Sequence, residues 1–399
     1  MENFCIKIKR RTTYKNAKRK ERKMKKYVSC IILIVACIAC ATIFYVNAKT
    51  TDSPETPSES ENPSQSEAPS ESEEAQKKID LSQNGTLYSE YFCPSRLRVE
   101  WNAISYEGDG TLYINAELYL DSPTGISQAC NGSFTVNGKK ADFSVKPSSE
   151  QSTLLQAISH EIKDYSDATS IEISGIISLE FVCEGGATLN SLEINSKICP
   201  SSSNSESKLI PLEHISQYPS LPSGDEITSL AMVLRYLKYN VNECDLCDLY
   251  LDKGPVGFTD ISKANAGNPR DTYNSYGCLA PVIINSATKF ISANGGSHKA
   301  TDLTGYNPQE LYRQVSLGNP VIVWLCDDFG NTPSISRIWI VDGKTVFLKS
   351  NMACMVLVGY DNAKRTVTLA NPAGNTFSLD MDMFEQGYAD MGSYAVIIK

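Results

Sequence analysis

The chain has 399 residues, room for two or three domains. Its 37 Lys and Arg against 46 Asp and Glu leave a formal net charge of −9, with the basic residues crowded into the first 26 positions. A nucleic-acid role would rest on that one block, and an apolar run that follows it at once excludes that reading in favour of a membrane signal.

Residues 1–26 read as a basic cytoplasmic tail. The uncharged stretch VSCIILIVACIACATIFYV at 28–46 lies within a segment 27–48 that is long enough to cross a hydrocarbon core of ~30 Å. The spacing predicts a single transmembrane helix with everything after it outside the cell. A signal peptide cleaved near Ala48, giving a secreted protein, is the alternative, and lipoprotein processing at Cys37 is a third. Residues 49–77 are dominated by Pro, Ser and Glu and cannot bury enough surface to order themselves. They read as a disordered stalk, reaching about 90 Å when stretched.

Residues 78–205 carry short β-rich runs. LRVEWNAI at 97–104 and TLYINAELYL at 111–120 flank Glu107-Gly108-Asp109-Gly110, a hairpin signal. Further strands are expected at 133–136, 141–145, 170–183 and 192–198, with one helix at 151–162 that would carry His160 on the surface. The composite is an all-β domain of the β-sandwich type. Cys93, Cys130, Cys183 and Cys199 form an even set that allows up to two disulfides or, equally, free thiols. Cys244 and Cys247 have metal or redox spacing, but no second pair or His partner accompanies them, and their segment reads as helical.

Residues 209–399 form one block without a further linker. Ile227, Leu230, Ala231, Leu234 and Leu237 share one face at helical spacing, so a core helix is expected at about 226–238. Gly224 permits a sharp entry, and Asp225 is a favoured N-cap residue. The apolar run at 354–360, a turn at 361–364 and a return at 366–370 predict a hairpin that brings Ala353 and Asn371 close across the ladder.

The ordered set ISQYPSLPSGDEITSLAMVL (215–234), KGPVG (253–257), GNPRD (267–271), YGCLAPVI (276–283), GNPVIVW (318–324), NMACMVLVGYD (351–361) and ANPAGN (370–375) resembles the bacteriocin-processing-type cysteine peptidases. These are papain-like peptidases of family thirty-nine. The resemblance implies an α+β, papain-like fold for 209–399. It also implies a nucleophilic Cys where this chain has Asp225, a general-base His at Ala353, an orienting Asp or Asn at Asn371, and an oxyanion donor at Gln217. A helix N-terminus that stabilises a thiolate also holds a carboxylate, so Asp225 keeps the electrostatics and loses the nucleophile. Neither His214 nor His298 stands at the family's position. Cys278 and Cys354 are expected to be structural thiols or a mutual disulfide. Glu226, adjacent to Asp225, is expected to point elsewhere.

The expectation is a membrane-anchored extracellular protein with a catalytically degenerate site, binding a peptide or cell-wall ligand without cutting it. No metal, nucleotide or organic cofactor and no nucleic-acid partner is indicated. A hydrolase using non-standard residues, and a surface adhesion or scaffold protein acting through the β-domain, stay open as alternatives.

Overall fold

The computed structural model describes residues 79–92, 94–166, 169–182, 188–200 and 206–399. The basic tail, the apolar segment and the acidic stalk lie outside them, as do Cys93 and Cys183. No helix among the described residues is long and apolar enough to cross a membrane.

The first part is built from β1 (Ile79–Tyr88), β2 (Arg96–Tyr106), β3 (Thr111–Asp121), β4 (Cys130–Val136), β5 (Lys139–Val145), β6 (Ser152–Lys163), β7 (Ile171–Val182) and β8 (Thr188–Ile198). They form two four-stranded antiparallel sheets, ordered β1-β2-β3-β6 and β5-β4-β7-β8. The sequence reason is plain in β2 and β3. Leu97, Val99, Trp101 and Ala103 alternate with solvent-facing residues, as do Leu112, Ile114, Ala116, Leu118 and Leu120. Both sets enter one apolar cluster shared with Phe134, Ile173 and Ile194 of the other sheet.

One expectation fails here. Residues 152–163 are strand β6, paired with β3 along its length, and not a helix. The ladder slips between Leu118 and Tyr119. That irregularity shifts the parity of the buried set from Thr153 and Leu155 to Ile158 and Ile162. The resulting spacing of Leu155, Ile158 and Ile162 imitates a helical face. His160 therefore sits half-buried on a strand opposite Ile114. Cys130 and Cys199 are free thiols, so neither serves the disulfides allowed by the cysteine count.

The second part begins at β9 (Ser207–Leu209). It continues through α1 (Asp225–Tyr236), α2 (Glu243–Tyr250), β10 (Lys253–Gly254), β11 (Asn265–Ala266), α3 (Ala280–Ala293), β12 (Ala300–Asp302), α4 (Pro308–Ser316) and β13 (Val321–Cys326). Then come β14 (Ile335–Val341), β15 (Lys344–Lys349), β16 (Met352–Asp361), β17 (Thr366–Ala370), β18 (Thr376–Asp380), α5 (Met381–Asp390) and β19 (Ala395–Ile398). A seven-stranded antiparallel sheet runs β12-β19-β13-β16-β17-β18, with β9 added to the end of β16. Every residue of β13 is buried, as are seven consecutive residues of β16, so these central strands are covered on both faces. Helix α1 packs on β16 and is itself buried from Glu226 to Leu234.

The two parts have separate apolar clusters, yet they belong to one compact unit. Polar contacts join them. Lys349 Nζ lies 2.8 Å from Glu90 Oε1 and also donates to the Asp390 carbonyl. Arg96 reaches Asp390 at 3.4 Å. Phe92 packs edge-on against Phe347 of the β14–β15 hairpin.

Candidate functional site

The site forms where the first turn of α1 meets the beginning of β16. The chain enters α1 through Gly224, the N-cap, which makes no side-chain cap. A Cβ there would stand 2.8 Å from Leu221 Cβ and 3.1 Å from Pro269 Cβ, so the entry is too tight for any other residue. Asp225 is thus the first helical residue rather than the N-cap expected from its type, and the helix ends at Tyr236, two residues early.

The Asp225 carboxylate is directed across the cleft. Its Oδ2 accepts the backbone N–H of Cys354 at 2.6 Å. That amide lies just before the stretch of β16 that pairs with β17, so it lacks a ladder partner on that side. The carboxylate supplies one. Ala353, one residue earlier, is half-buried and pairs with Leu325 of β13.

Glu226 corrects a second expectation. Its side chain stays close enough to that of Asp225 for the two carboxyl groups to interact. The rule that neighbours on a helix diverge fails here because Glu226 is one methylene longer and is anchored from its other side. Its Oε1 accepts the Cys278 N–H at 2.9 Å. Gly277 makes that possible: its φ is +72°, and a Cβ would stand 2.1 Å from Glu226 Oε1. Burial raises the pKa of Asp225 above the usual carboxylate range, opposed by the Cys354 hydrogen bond. Burial, and then the charge of Asp225, raise Glu226 much further. Two neighbouring buried carboxyl groups resist ionising together, so burial and mutual charge favour a proton held by the pair.

Gln217 is buried, and its Nε2 donates to the Pro222 carbonyl at 2.8 Å. The amide implied as an oxyanion donor is thus spent on a hydrogen bond within its own loop. Asn371 spends its Oδ1 on the Ala373 N–H at 2.9 Å, closing a turn of its own. The β16–β17 register shifts between Leu357 and Gly359 and is in step only from Val356 opposite Ala370, so Ala353 and Asn371 are not ladder partners. They do line the same cavity, of about 410 Å³, together with Gln217, Asp225, Glu226 and Asp327. Asp327, at the exposed end of β13, was not anticipated. The buried run VIVWLC followed by two Asp marks it, since a carboxylate just past the end of a buried strand emerges beside whatever packs there.

His214 Nε2 stands 2.8 Å from the Asn371 main-chain oxygen, an acceptor, so Nε2 carries the proton. His298 Nδ1 pairs with the Tyr239 hydroxyl at 2.8 Å, against the ring of Tyr239. Among the described residues no imidazole and no thiol lines the cavity. Cys278 and Cys354 are fully buried free thiols, not a disulfide. Burial pushes both well above the ordinary thiol range, and the nearby carboxylates push them further. Cys244 and Cys247 lie on α2, capped by the Asn242 side chain, and are also free. Among the described residues no group of three or more His, Cys, Asp or Glu is placed to hold a metal ion.

Residues 210–396 match the Peptidase_C39 like family. The uncharacterized protein YvpB of Bacillus subtilis is 29% identical over 185 residues, 45% of this chain and 71% of its own. This part of the chain is a C39-like peptidase domain. Among solved structures, a protein of Bacillus anthracis described as a C39-like peptidase is 27% identical, covering 49% of this chain and 98% of its own, with a TM-score of 0.43. Xylellain, a cysteine protease from Xylella fastidiosa, is 12% identical, covering 50% of this chain and 87% of its own, with a TM-score of 0.28.

Proposed function

We propose that the chain is a membrane-anchored extracellular pseudopeptidase whose C-terminal domain binds a peptide or cell-wall ligand without cleaving it. The hydrogen bond from Cys354 N–H to Asp225 carries this reading. Hydrolysis in a cysteine peptidase needs a thiolate and an imidazole in contact. Here a carboxylate occupies the nucleophile's place and is tied to the strand that would bear the base, and position 353 is Ala. The cleft between α1 and β16 stays open as a cavity of about 410 Å³, which favours a ligand-binding role over a passive cap. The basic segment 1–26 and the apolar segment 27–48 support the membrane anchor, and the β-sandwich domain of 78–205 would stand beside the binding domain.

A second reading has one observation in its favour. Asp225 and Glu226 are adjacent acids at the cavity whose burial favours a proton held between them, as paired carboxyls hold one in acid-type hydrolases. Both are already bound to backbone N–H groups, which weighs against their moving protons during a reaction. Incubating the full chain with a mixed peptide library and with purified peptidoglycan separates the readings. The pseudopeptidase reading expects binding and no new amine termini. Cleavage that disappears in the Asp225→Asn variant would overturn it.

A further inference from the structure

The geometry points to a protonated primary amine as the group that enters the cavity at the head of α1. This rests on the peptide-binding reading and narrows it to ligands presenting an ammonium group, either a free chain amino end or an amine-bearing side chain.

Three features of the wall carry the inference. The first is charge. Asp225, Glu226 and Asp327 line the cavity. The first two are neighbouring acids whose burial disfavours ionising both, and Asp327 stands at the exposed rim. Lys349 also lines the cavity, but its Nζ is engaged by Glu90 and the Asp390 carbonyl, which both lie outside the lining. The lining residues therefore leave an excess of negative charge with no free cation among them.

The second feature is Gln217, only 4% exposed. Its bond to the Pro222 carbonyl must come from the amide NH₂, because a carbonyl only accepts. The orientation of the side chain is thereby fixed, and its Oε1 is the end left over. That oxygen is buried and has no partner. A buried acceptor without a donor is rare in folded proteins, and such a position points to a missing group. The missing group must donate a hydrogen bond.

The third feature is the match of donor number. An ammonium group has three N–H donors and no acceptor. Carboxylate groups and an unpartnered amide oxygen among the lining residues suit it, whereas a ligand carboxylate would meet repulsion from the same acids. A divalent cation is a poorer fit, because Asp225 and Glu226 are each engaged by a backbone N–H group, of Cys354 and of Cys278.

The test uses the full chain and four probes: acetyl-Ala-Lys-Ala-amide, its Nε-acetyl-lysine counterpart, Gly-Gly-Gly-amide and acetyl-Gly-Gly-Gly-amide. Binding is read by titration calorimetry, with purified peptidoglycan as a separate pull-down. At least one amine probe is expected to bind about tenfold or more tightly than its acetylated twin. Which pair shows the difference identifies the source of the amine. Asp327→Asn, at an exposed position, should weaken the amine probe several-fold and leave the acetylated one unchanged. Equal binding of the twins overturns the amine inference and leaves the peptide-binding reading standing. No binding of any probe or of peptidoglycan overturns both.

Discussion

The bond between Asp225 and the Cys354 amide can be weighed directly. In an Asp225→Ala variant, the Cys354 N–H loses its acceptor at a fully buried position. An orphaned buried amide costs about 1–3 kcal/mol, a factor of about 5–150 in the folding equilibrium. Removal of a carboxylate that burial penalises offsets part of this, so the lower half of the range is expected. Asp225→Asn is the matched control. Its amide oxygen still accepts from Cys354 and its NH₂ can donate to Glu226, so it should stay within about 1 kcal/mol of the parent. Urea unfolding of the full chain followed by tryptophan fluorescence gives the global difference. Hydrogen exchange at the Cys354 amide gives the local one. If the Ala and Asn variants unfold alike, and Cys354 exchange is the same in both, the carboxylate does not hold α1 to β16 and the reasoning fails.

The shared proton gives a pH dependence with a definite sign. Glu226 is raised by burial first and by Asp225 second, so the folded state keeps a proton that the unfolded chain releases. Stability contributed by this pair is present at low pH and is lost as pH rises from the ordinary carboxylate range through the raised folded value. Glu226→Gln should flatten that fall, seen as a smaller difference in urea midpoint between pH 5 and pH 8; an unchanged difference would contradict the pairing. Gly277→Ala places a methyl group 2.1 Å from Glu226 Oε1 at a φ of +72°, and a loss of about 1–3 kcal/mol is expected in the same urea assay. Cys278 and Cys354 should resist a thiol-alkylating reagent in the native chain and react only in denaturant, because they are buried and poorly ionised.

Much of this fold is legible in the residues themselves. The β2–β3 hairpin, the core face of α1 and the β16–β17 hairpin follow from periodicity and turn chemistry, and the motif order places the cleft between them. Strand β6 was hidden because one ladder irregularity converts a period of two into a spacing that looks helical. The β14–β15 hairpin also carries a local signal, Asp342-Gly343 at its two-residue turn. The contact between Asp225 and Glu226 had no such signal. It depends on Gly277 clearing space for a carboxylate 51 positions away in the chain, a tertiary fact that no local pattern encodes. The tie between Glu90 and Lys349 is of the same kind.

The most direct measurement is the intact mass of the full chain after incubation with peptide thioesters and activated peptide amides, paired with chromatography of the peptides. An inert cleft predicts unmodified protein and uncut amides. An acyl group found on Cys278, Cys354 or any other sulfur, together with released amine, would contradict it.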